Sequence, residues 1–188
     1  MRSQVVIPLV VLLVAAQTCC CCTILGGPQP PYTVSHSEQA FEDLEARMDA
    51  IETGPDGSFS VTITEEELTS LVVHNLDERE GLSSIQEPQV LFRNGRIECY
   101  AKISPASSLA LPGLIAISLD AQDSKLDVTI EEIVLGPLPI PQSILETFTD
   151  LVVSTIVDLF SSEQASITIN DVEIGNGELT ISGQITAN

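Results

Sequence analysis

Apolar and polar residues alternate along much of the chain beyond residue 57, and a period of two predicts β-strands. Residues 58–64 alternate strictly between hydroxyl and apolar side chains, which is typical of a strand with one buried face. Further on, the largely apolar runs 90–93 and 97–103 flank Asn94-Gly95, a dipeptide that strongly indicates a hairpin turn. More strands are predicted up to residue 181, so the pattern predicts a mostly antiparallel sheet.

In one of these predicted strands the alternation slips by one position. Leu126, Val128 and Ile130 occupy even positions, whereas Ile133 and Leu135 occupy odd ones. One extra residue in a strand, a β-bulge, shifts the pattern in this way, and bulges bend the sheets that contain them. The sheet is therefore predicted to be curved.

Two helices are predicted before residue 80. Ser37 is a suitable N-cap for the first, whose apolar face repeats at spacings of three and four residues. The second begins at a capping box formed by Thr64 and Glu67. The three glutamates at 65–67 suggest either a metal site or the acidic first turn that a helix dipole favours, and the second interpretation is preferred.

A third helix is predicted over residues 142–160, and it is unusually apolar. A helix with so wide an apolar surface has to be covered on most sides, as a curved sheet would do. The predicted fold class is therefore α+β, with a curved, mostly antiparallel sheet wrapped around a long apolar helix. The stripe on this helix comprises Ile144, Leu145, Phe148, Leu151, Val152, Ile156, Leu159 and Phe160.

The amino-terminal region differs from the rest of the chain in charge. Residues 1–37 contain Arg2 as their only charged side chain, and residues 5–27 contain none. Such a run is long enough to cross the ~30 Å hydrocarbon core of a bilayer as a helix. A transmembrane anchor, or uncleaved signal, is preferred over a lipoprotein signal and over a cleaved signal peptide. The reason is that 16–18 is a poor cleavage site and threonine is a poor residue before a modifiable Cys19.

The predicted organisation follows from this anchor. Residues 1–4 form a cytoplasmic tip, 5–27 the anchor, 28–36 a proline-rich linker, and 37–188 a single exported domain. The chain is predicted to cross the cell membrane once. Because Arg2 favours the cytoplasmic side, the carboxy-terminal domain is predicted to lie outside the cytoplasm.

The composition restricts the partners that are expected. The chain has 27 acidic and 7 basic side chains, and this excess of acids argues against binding nucleic acid, because phosphate contacts need lysine and arginine. All the acidic residues lie at or beyond Glu38, so the exported domain carries the negative charge. With 44% hydrophobic residues the chain is nevertheless too apolar for an acidic disordered protein. The expected partners are the membrane, a lipid ligand or another envelope protein.

No constellation of residues predicts an enzyme, a metal site or a cofactor. The four adjacent cysteines at 19–22 are too close together to turn to one metal ion, and they are interpreted as small apolar residues. Cys99 alternates with apolar residues and is interpreted as a buried structural thiol. Asp120, Asp123 and Asp127 suggest calcium binding, but the loop spacing of such sites is absent, and acids at a surface turn are preferred.

Three segments resemble a known family: 61–72 (VTITEEELTSLV), 138–146 (LPIPQSILE) and 176–183 (NGELTISG). With the anchor and first helix before them, they make residues 37–188 resemble the YpmS-like family of membrane-anchored extracytoplasmic bacterial proteins. More distantly, this part is similar to LmeA-type envelope proteins, whose fold looks like the tubular lipid-binding (TULIP) barrels. The resemblance implies a half barrel in which a strongly curved antiparallel sheet wraps a long helix and leaves an apolar groove for acyl chains.

The sequence leaves two functions open. In the first, the exported domain binds or handles lipid through an apolar groove. In the second, the apolar helix fills an ordinary core. The protein is then a non-enzymatic structural or interaction protein of the envelope, which docks a partner through a sheet edge or through the acidic first helix. The residues predicted to line the groove are Phe148, Leu151, Val152, Ile156 and Leu159.

Overall fold

The structure is a computed structural model, and it describes residues 26–78, 84–106, 109–136, 142–159 and 165–187. The described ranges contain helices and, for the larger part, strands, which confirms the α+β class. In chain order the elements are α1 (Glu38–Asp49), β1 (Ser58–Thr64), α2 (Glu65–Glu78), β2 (Ile85–Arg93), β3 (Arg96–Ala106), β4 (Leu109–Gln122), β5 (Lys125–Leu135), α3 (Gln142–Leu159), β6 (Ala165–Ile174) and β7 (Glu178–Ala187).

The strands form two antiparallel sheets, whereas the sequence predicted one wrapped sheet. The small sheet has the order β1-β7-β6, and the large sheet has the order β2-β3-β4-β5. Two helices explain this division, because α2 separates β1 from β2 and α3 separates β5 from β6. The large sheet is a series of consecutive hairpins, whereas β1 crosses to pair with β7. Within the described ranges the two sheets do not close into a barrel.

The hairpin turn predicted at Asn94-Gly95 is confirmed, and a second hairpin turn lies between β4 and β5. Asn94 and Gly95 connect β2 to β3 with φ angles of 55° and 74°, in the left-handed region that a type I′ turn requires. Asp123 and Ser124 connect β4 to β5 with φ angles of 50° and 66°. These two turns lie at the same end of the large sheet.

The predicted bulge in β5 is also confirmed. Glu132 pairs with Ala116 and Ile130 pairs with Ile117, so Glu131 is the extra residue on this strand. The bulge restores the isoleucine at position 133 to the same side of the sheet as Ile130.

The core lies on one face of the large sheet, which we call its inner face. Alternate residues of β2, β3 and β4 point there, and Phe92, Ile97 and Ile117 are among those with no exposed surface. All three helices and the small sheet add side chains to this one core. Their buried contributions are Leu44, Phe59, Val61, Ile63, Leu68, Val72, Leu151, Val152, Ile156, Ile169, Leu179 and Ile181.

The amino-terminal segment 26–36 crosses the opposite, outer face of the large sheet. Val34 packs there with Tyr100 and Leu114. The N–H of Val34 donates to Oε1 of Gln89 at 2.6 Å. The segment predicted as a linker therefore has no regular secondary structure, but it packs on the domain and is not a spacer that stands clear of it. Its prolines lack the N–H group that strand pairing needs, and Val34 is its buried side chain on the sheet.

The glutamates at the start of α2 hold neighbouring segments in place. The Tyr32 hydroxyl lies 2.8 and 3.0 Å from the two carboxylate oxygens of Glu65, and Glu65 also accepts the Phe92 N–H at 2.8 Å. Glu67 forms an ion pair with Arg47 at 2.7 Å. These contacts agree with the interpretation of the glutamates as acids of a first helical turn.

The predicted capping box at the start of α2 is confirmed. The Thr64 N–H donates to Oε2 of Glu67 at 2.8 Å, and the Glu67 N–H donates to Oγ1 of Thr64 at 3.3 Å. Two N–H groups at the helix start thus find acceptors.

Thr64→Ala is expected to lower the free energy of unfolding by about 1 kcal/mol, because the Glu67 N–H loses its acceptor. Denaturant unfolding followed by circular dichroism measures this loss. Ser60→Ala, at an exposed position of β1, is the control and should change stability by less than about 0.5 kcal/mol. Equal losses in the two variants would contradict the capping role.

In the described ranges, no helix is long and apolar enough to cross a membrane. The predicted anchor at 5–27 lies outside those ranges except for its last two residues, so it stays a prediction. The same is true of the cytoplasmic tip at 1–4.

Candidate functional site

The residues predicted to bind lipid all belong to α3, and several of them lie deep in the protein. Leu151, Val152 and Ile156 are 1%, 2% and 2% exposed and join the core. Leu159 is half-buried against the same core. Phe148 lies in the helix, and its side chain is outside the described part of the structure. As placed, the three buried residues fill the core and do not line an open surface; their contact with lipid stays a prediction.

The helix α3 is not covered on most sides, in contrast to the prediction. Thr155 is buried and accepts a hydrogen bond from Nδ2 of Asn75 on α2 at 3.1 Å. Elsewhere on the helix, Asp150 is exposed and Val157 is 39% exposed. Because the described strands divide into two sheets, no single sheet among them curves around this helix. It therefore buries one stripe and leaves another in solvent.

A second apolar surface lies on β5, and the bulge creates it. Ile130 pairs with Ile117 and Ile133 pairs with Ile115, so both β5 isoleucines point to the inner face. Ile115 and Ile117 are fully buried, whereas Ile130 and Ile133 are 40% and 38% exposed. The inner face is thus apolar across β5 but incompletely covered there. We call the inner-facing side chains of this strand the β5 strip: Leu126, Val128, Ile130, Ile133 and Leu135.

The β5 strip is covered at one end and open in its middle. Near Leu126, the small sheet meets the large one, where the Ile169 N–H of β6 donates to the Ser124 carbonyl at 3.0 Å. The two exposed isoleucines lie farther along the strand from this contact. β5 is also an edge strand: it pairs with β4, and no other described strand pairs with it. An exposed apolar surface therefore lies beside a strand edge that no described strand covers.

The outer face of the large sheet holds a buried carboxylate. Glu98 is 3% exposed, accepts the Tyr100 hydroxyl at 2.9 Å, and lies 3.1 Å from Nη2 of Arg96. Nη1 of Arg93 lies 3.7 Å from Oε2 of Glu98, the oxygen that also accepts the Tyr100 hydroxyl. Burial, together with the hydrogen bond to Glu98 and its negative charge, raises the pKa of Tyr100 to about 12. This network compensates the buried charge and joins the two strands of the β2–β3 hairpin.

Cys99 is enclosed, and His74 is engaged in a ring contact. Burial raises the pKa of the Cys99 thiol to about 12, so the thiol stays protonated at neutral pH and is a poor nucleophile. The rings of His74 and Phe41 are stacked with their centroids 3.9 Å apart. Among the residues that the structure describes, no group of three or more His, Cys, Asp or Glu side chains is placed to hold a metal ion.

The β5 strip was missed as a candidate site in the sequence, although one signal for it was present. The slip in alternation places Ile130 and Ile133 on the same face despite their odd spacing. Their exposure could not be predicted, because it depends on where the small sheet and α3 end up. The sequence pattern alone made α3 the more conspicuous apolar element.

Comparison with known proteins adds no assignment. No protein-family model matches the chain. No curated protein matches it either.

Proposed function

We propose that the protein is tethered to the membrane and that its extracytoplasmic domain binds the acyl chain of a lipid through an apolar groove. The observation that carries the proposal is the exposure of Ile130 and Ile133 on a face that is otherwise the core of the domain. Apolar surface left in water costs about 25 cal/mol per Å². An aliphatic ligand laid along the β5 strip would remove that cost, whereas a polar ligand would not.

In this proposal the groove has one wall on β5 and another on α3. The β5 strip supplies the exposed wall. On α3, Leu151, Val152 and Ile156 belong to the same core and contact an acyl chain only when the helix moves outward. Phe148 and Leu159 belong to the same stripe of the helix. Each CH₂ group that enters the groove would contribute about 0.8 kcal/mol.

The resemblance of residues 37–188 to the YpmS-like family, and more distantly to LmeA-type and TULIP proteins, supports the same proposal. It implies a half barrel around α3. The two antiparallel sheets would form the wall of that half barrel. The proposed protein is a binding protein and not an enzyme, because its sequence offers no constellation of catalytic residues. The burial of Cys99 is consistent with that role, because an enclosed thiol is poorly placed to attack a substrate.

The alternative is a non-enzymatic structural or interaction protein of the envelope. The nearly complete burial of Leu151, Val152 and Ile156 favours it, because these side chains already fill the core. The edge of β5 would then pair with a strand of a partner protein. The two functions differ in what occupies β5, so substitutions on this strand distinguish them.

Replacing Ile130 and Ile133 together with threonine is expected to weaken binding of a fluorescent fatty acid to residues 26–188 about tenfold, or about 1.4 kcal/mol. Threonine keeps the β-branched shape that strands favour, and both positions are substantially exposed, so the fold should persist. Val134→Thr is the matched control, since Val134 lies on the same strand but packs on the outer face. The control should bind the probe as the native domain does.

Fluorescence titration measures these affinities, and native mass spectrometry after gentle purification detects lipid that accompanies the domain. If neither probe nor lipid binds the native domain, the lipid proposal is overturned. Crosslinking in intact cells would then look for a protein captured by β5.

A further inference from the structure

Charge is distributed unevenly between the two ends of the large sheet. The end with the two hairpin turns carries Arg93, Arg96, Asp120, Asp123, Lys125 and Asp127. At the other end β2 begins, β3 finishes, β4 begins and β5 finishes, and we call the β4–β5 corner of it the uncharged end. Its described residues include Ala110, Leu111, Pro112, Leu135 and Gly136. The neighbouring strands carry charge there, because Lys102 of β3 pairs in register with Pro112 and forms an ion pair with Glu87 of β2 at 2.5 Å.

The sequence shows that this lack of charge is extensive. No acidic or basic residue occurs between 103 and 119, or between 133 and 145. The chain has 27 acidic residues, all of them beyond position 37, so two such runs are unusual in the exported part. The strand topology brings the described parts of both runs together, because Gly113 of β4 pairs with Leu135 of β5.

The amino-terminal segment enters the domain at this same end. Gly27 lies so close to β4 that a Cβ atom on it would come within 2.6 Å of Cγ of Pro112 and 3.3 Å of Cα of Gly136. From there the segment crosses the sheet to Val34, which is hydrogen-bonded to Gln89. The predicted anchor ends at residue 27. No free spacer therefore separates the predicted anchor from the uncharged end.

We propose that the uncharged end rests on the surface of the bilayer that holds the anchor, and that neutral lipid headgroups are its partner. The inference rests on the tether of the proposed function. A corner whose own two strands carry no carboxylate approaches headgroups without desolvating a charge of its own, and the nearest carboxylate, Glu87 of β2, is paired with Lys102. The charged turns of the large sheet then point away from the membrane.

This orientation also directs the β5 strip toward the lipid. Leu135 lies at the uncharged end beside Gly136, and the exposed Ile133 and Ile130 follow along the strand. Leu135 and Ile130 pair with Gly113 and Ile117, four residues apart on β4, so they are about 13 Å apart at ~3.3 Å per residue. One leaflet contributes about 15 Å of the ~30 Å hydrocarbon core. A single acyl chain drawn out of the leaflet would therefore match the length of this part of the strip.

The test places a fluorophore at either end of β4 in the full chain, reconstituted in phosphatidylcholine vesicles that contain a headgroup nitroxide quencher. Ala110→Cys labels the uncharged end, and Gln122→Cys, exposed on the same strand, is the matched control. Both are made with alanine in place of the cysteines at 19–22. Cys99 is buried and should remain unlabelled. The two labels are about 40 Å apart along the strand.

The expected result is severalfold stronger quenching at position 110 than at position 122. Equal quenching, or stronger quenching at position 122, would overturn the orientation. A full chain that fails to float with the vesicles in a density gradient would overturn the tether and the orientation together. The fatty-acid assay separates the two proposals. Stronger quenching at position 110 without binding of the fatty acid would contradict only the lipid groove. Binding of the fatty acid without that quenching would contradict only the orientation.

Discussion

Gly183→Ala is expected to lower the free energy of unfolding by about 3 kcal/mol or more, although it adds a single methyl group. Gly183 lies in β7, the central strand of the small sheet, and pairs with Phe59 on one side and Ile169 on the other. A Cβ atom at this position would overlap the carbonyl oxygen of Thr168 and lie 2.9 Å from Cε1 of Phe59. The carbonyl belongs to the backbone of β6, so it moves only if the pairing of β6 with β7 is distorted.

Denaturant unfolding followed by circular dichroism measures the effect of this substitution. Gly175→Ala is the matched control, because its Cβ atom would have a single neighbour within 4 Å, the carbonyl oxygen of Glu178 at 3.5 Å. The control should change stability by less than about 0.5 kcal/mol. Similar stabilities for the two variants would contradict the close approach of β6 and β7 at Gly183.

Glu98→Ala is expected to lower the free energy of unfolding by about 3 kcal/mol, at the lower end of the range for breaking a buried ion pair. The substitution leaves the buried Tyr100 hydroxyl without its acceptor and Arg96 without its nearest carboxylate. The effect stays at the lower end because the side chains of Arg93 and Arg96 are partly exposed, and water can solvate them once Glu98 is gone.

Glu98→Gln separates the charge from the hydrogen bond. Glutamine retains the volume and an oxygen that accepts the Tyr100 hydroxyl, so a smaller loss than for alanine is expected. Unfolding curves for the two variants at neutral pH make the comparison. If alanine and glutamine are equally well tolerated, the network does not stabilise the hairpin.

The Glu98→Gln variant is also expected to change how stability depends on pH in the alkaline range. In the folded protein, burial, with the hydrogen bond to Glu98 and its charge, raises the pKa of Tyr100 from 10.0 to about 12. Because the folded state holds this proton more tightly than the unfolded state, its stabilising effect is complete below pH 10 and is lost as the pH rises towards 12. Without the charge of Glu98, the pKa of Tyr100 should fall and the alkaline loss of stability should shrink.

Tyrosinate absorbance measures this titration directly, because the chain has two tyrosines and no tryptophan. A Tyr32→Phe background in both proteins leaves Tyr100 as the source of the signal. An unchanged titration on replacing Glu98 with glutamine would show that the carboxylate does not act on Tyr100.

Local features of the fold could be predicted because short stretches of sequence determine them. The Asn94-Gly95 turn tolerates positive φ, the capping box needs only Thr64 and Glu67, and the bulge at Glu131 is visible as a slip in alternation. The division into two sheets was not predicted, because the alternation of β1 is the same whether it pairs with β2 or with β7. Pairing between distant strands depends on where the helices between them pack.

The outer face illustrates the same limit. The proline-rich segment 28–36 has no periodic pattern, so nothing in it indicated a surface to cover. Its place is fixed by single contacts with residues far along the chain, such as Val34 with Gln89 and Tyr32 with Glu65. For the candidate site, sequence pattern identified the apolar stripe of α3. The degree of burial that separates Leu151 from Ile133 arises only from the packing of the small sheet and the helices.

The pairing of β1 with β7 has a consequence for the order in which the domain folds. The large sheet joins neighbours in sequence, so its hairpins are able to form while later residues are still being synthesised. The small sheet cannot form so early, because Ser58 at the start of β1 pairs with Gln184 near the end of β7. Pairing between residues so far apart in sequence is also slow. Until β7 has been synthesised, β1 lacks this partner and the core stays open on that side. A chain interrupted before residue 178 would keep β1 unpaired, with the aggregation risk of an exposed strand edge.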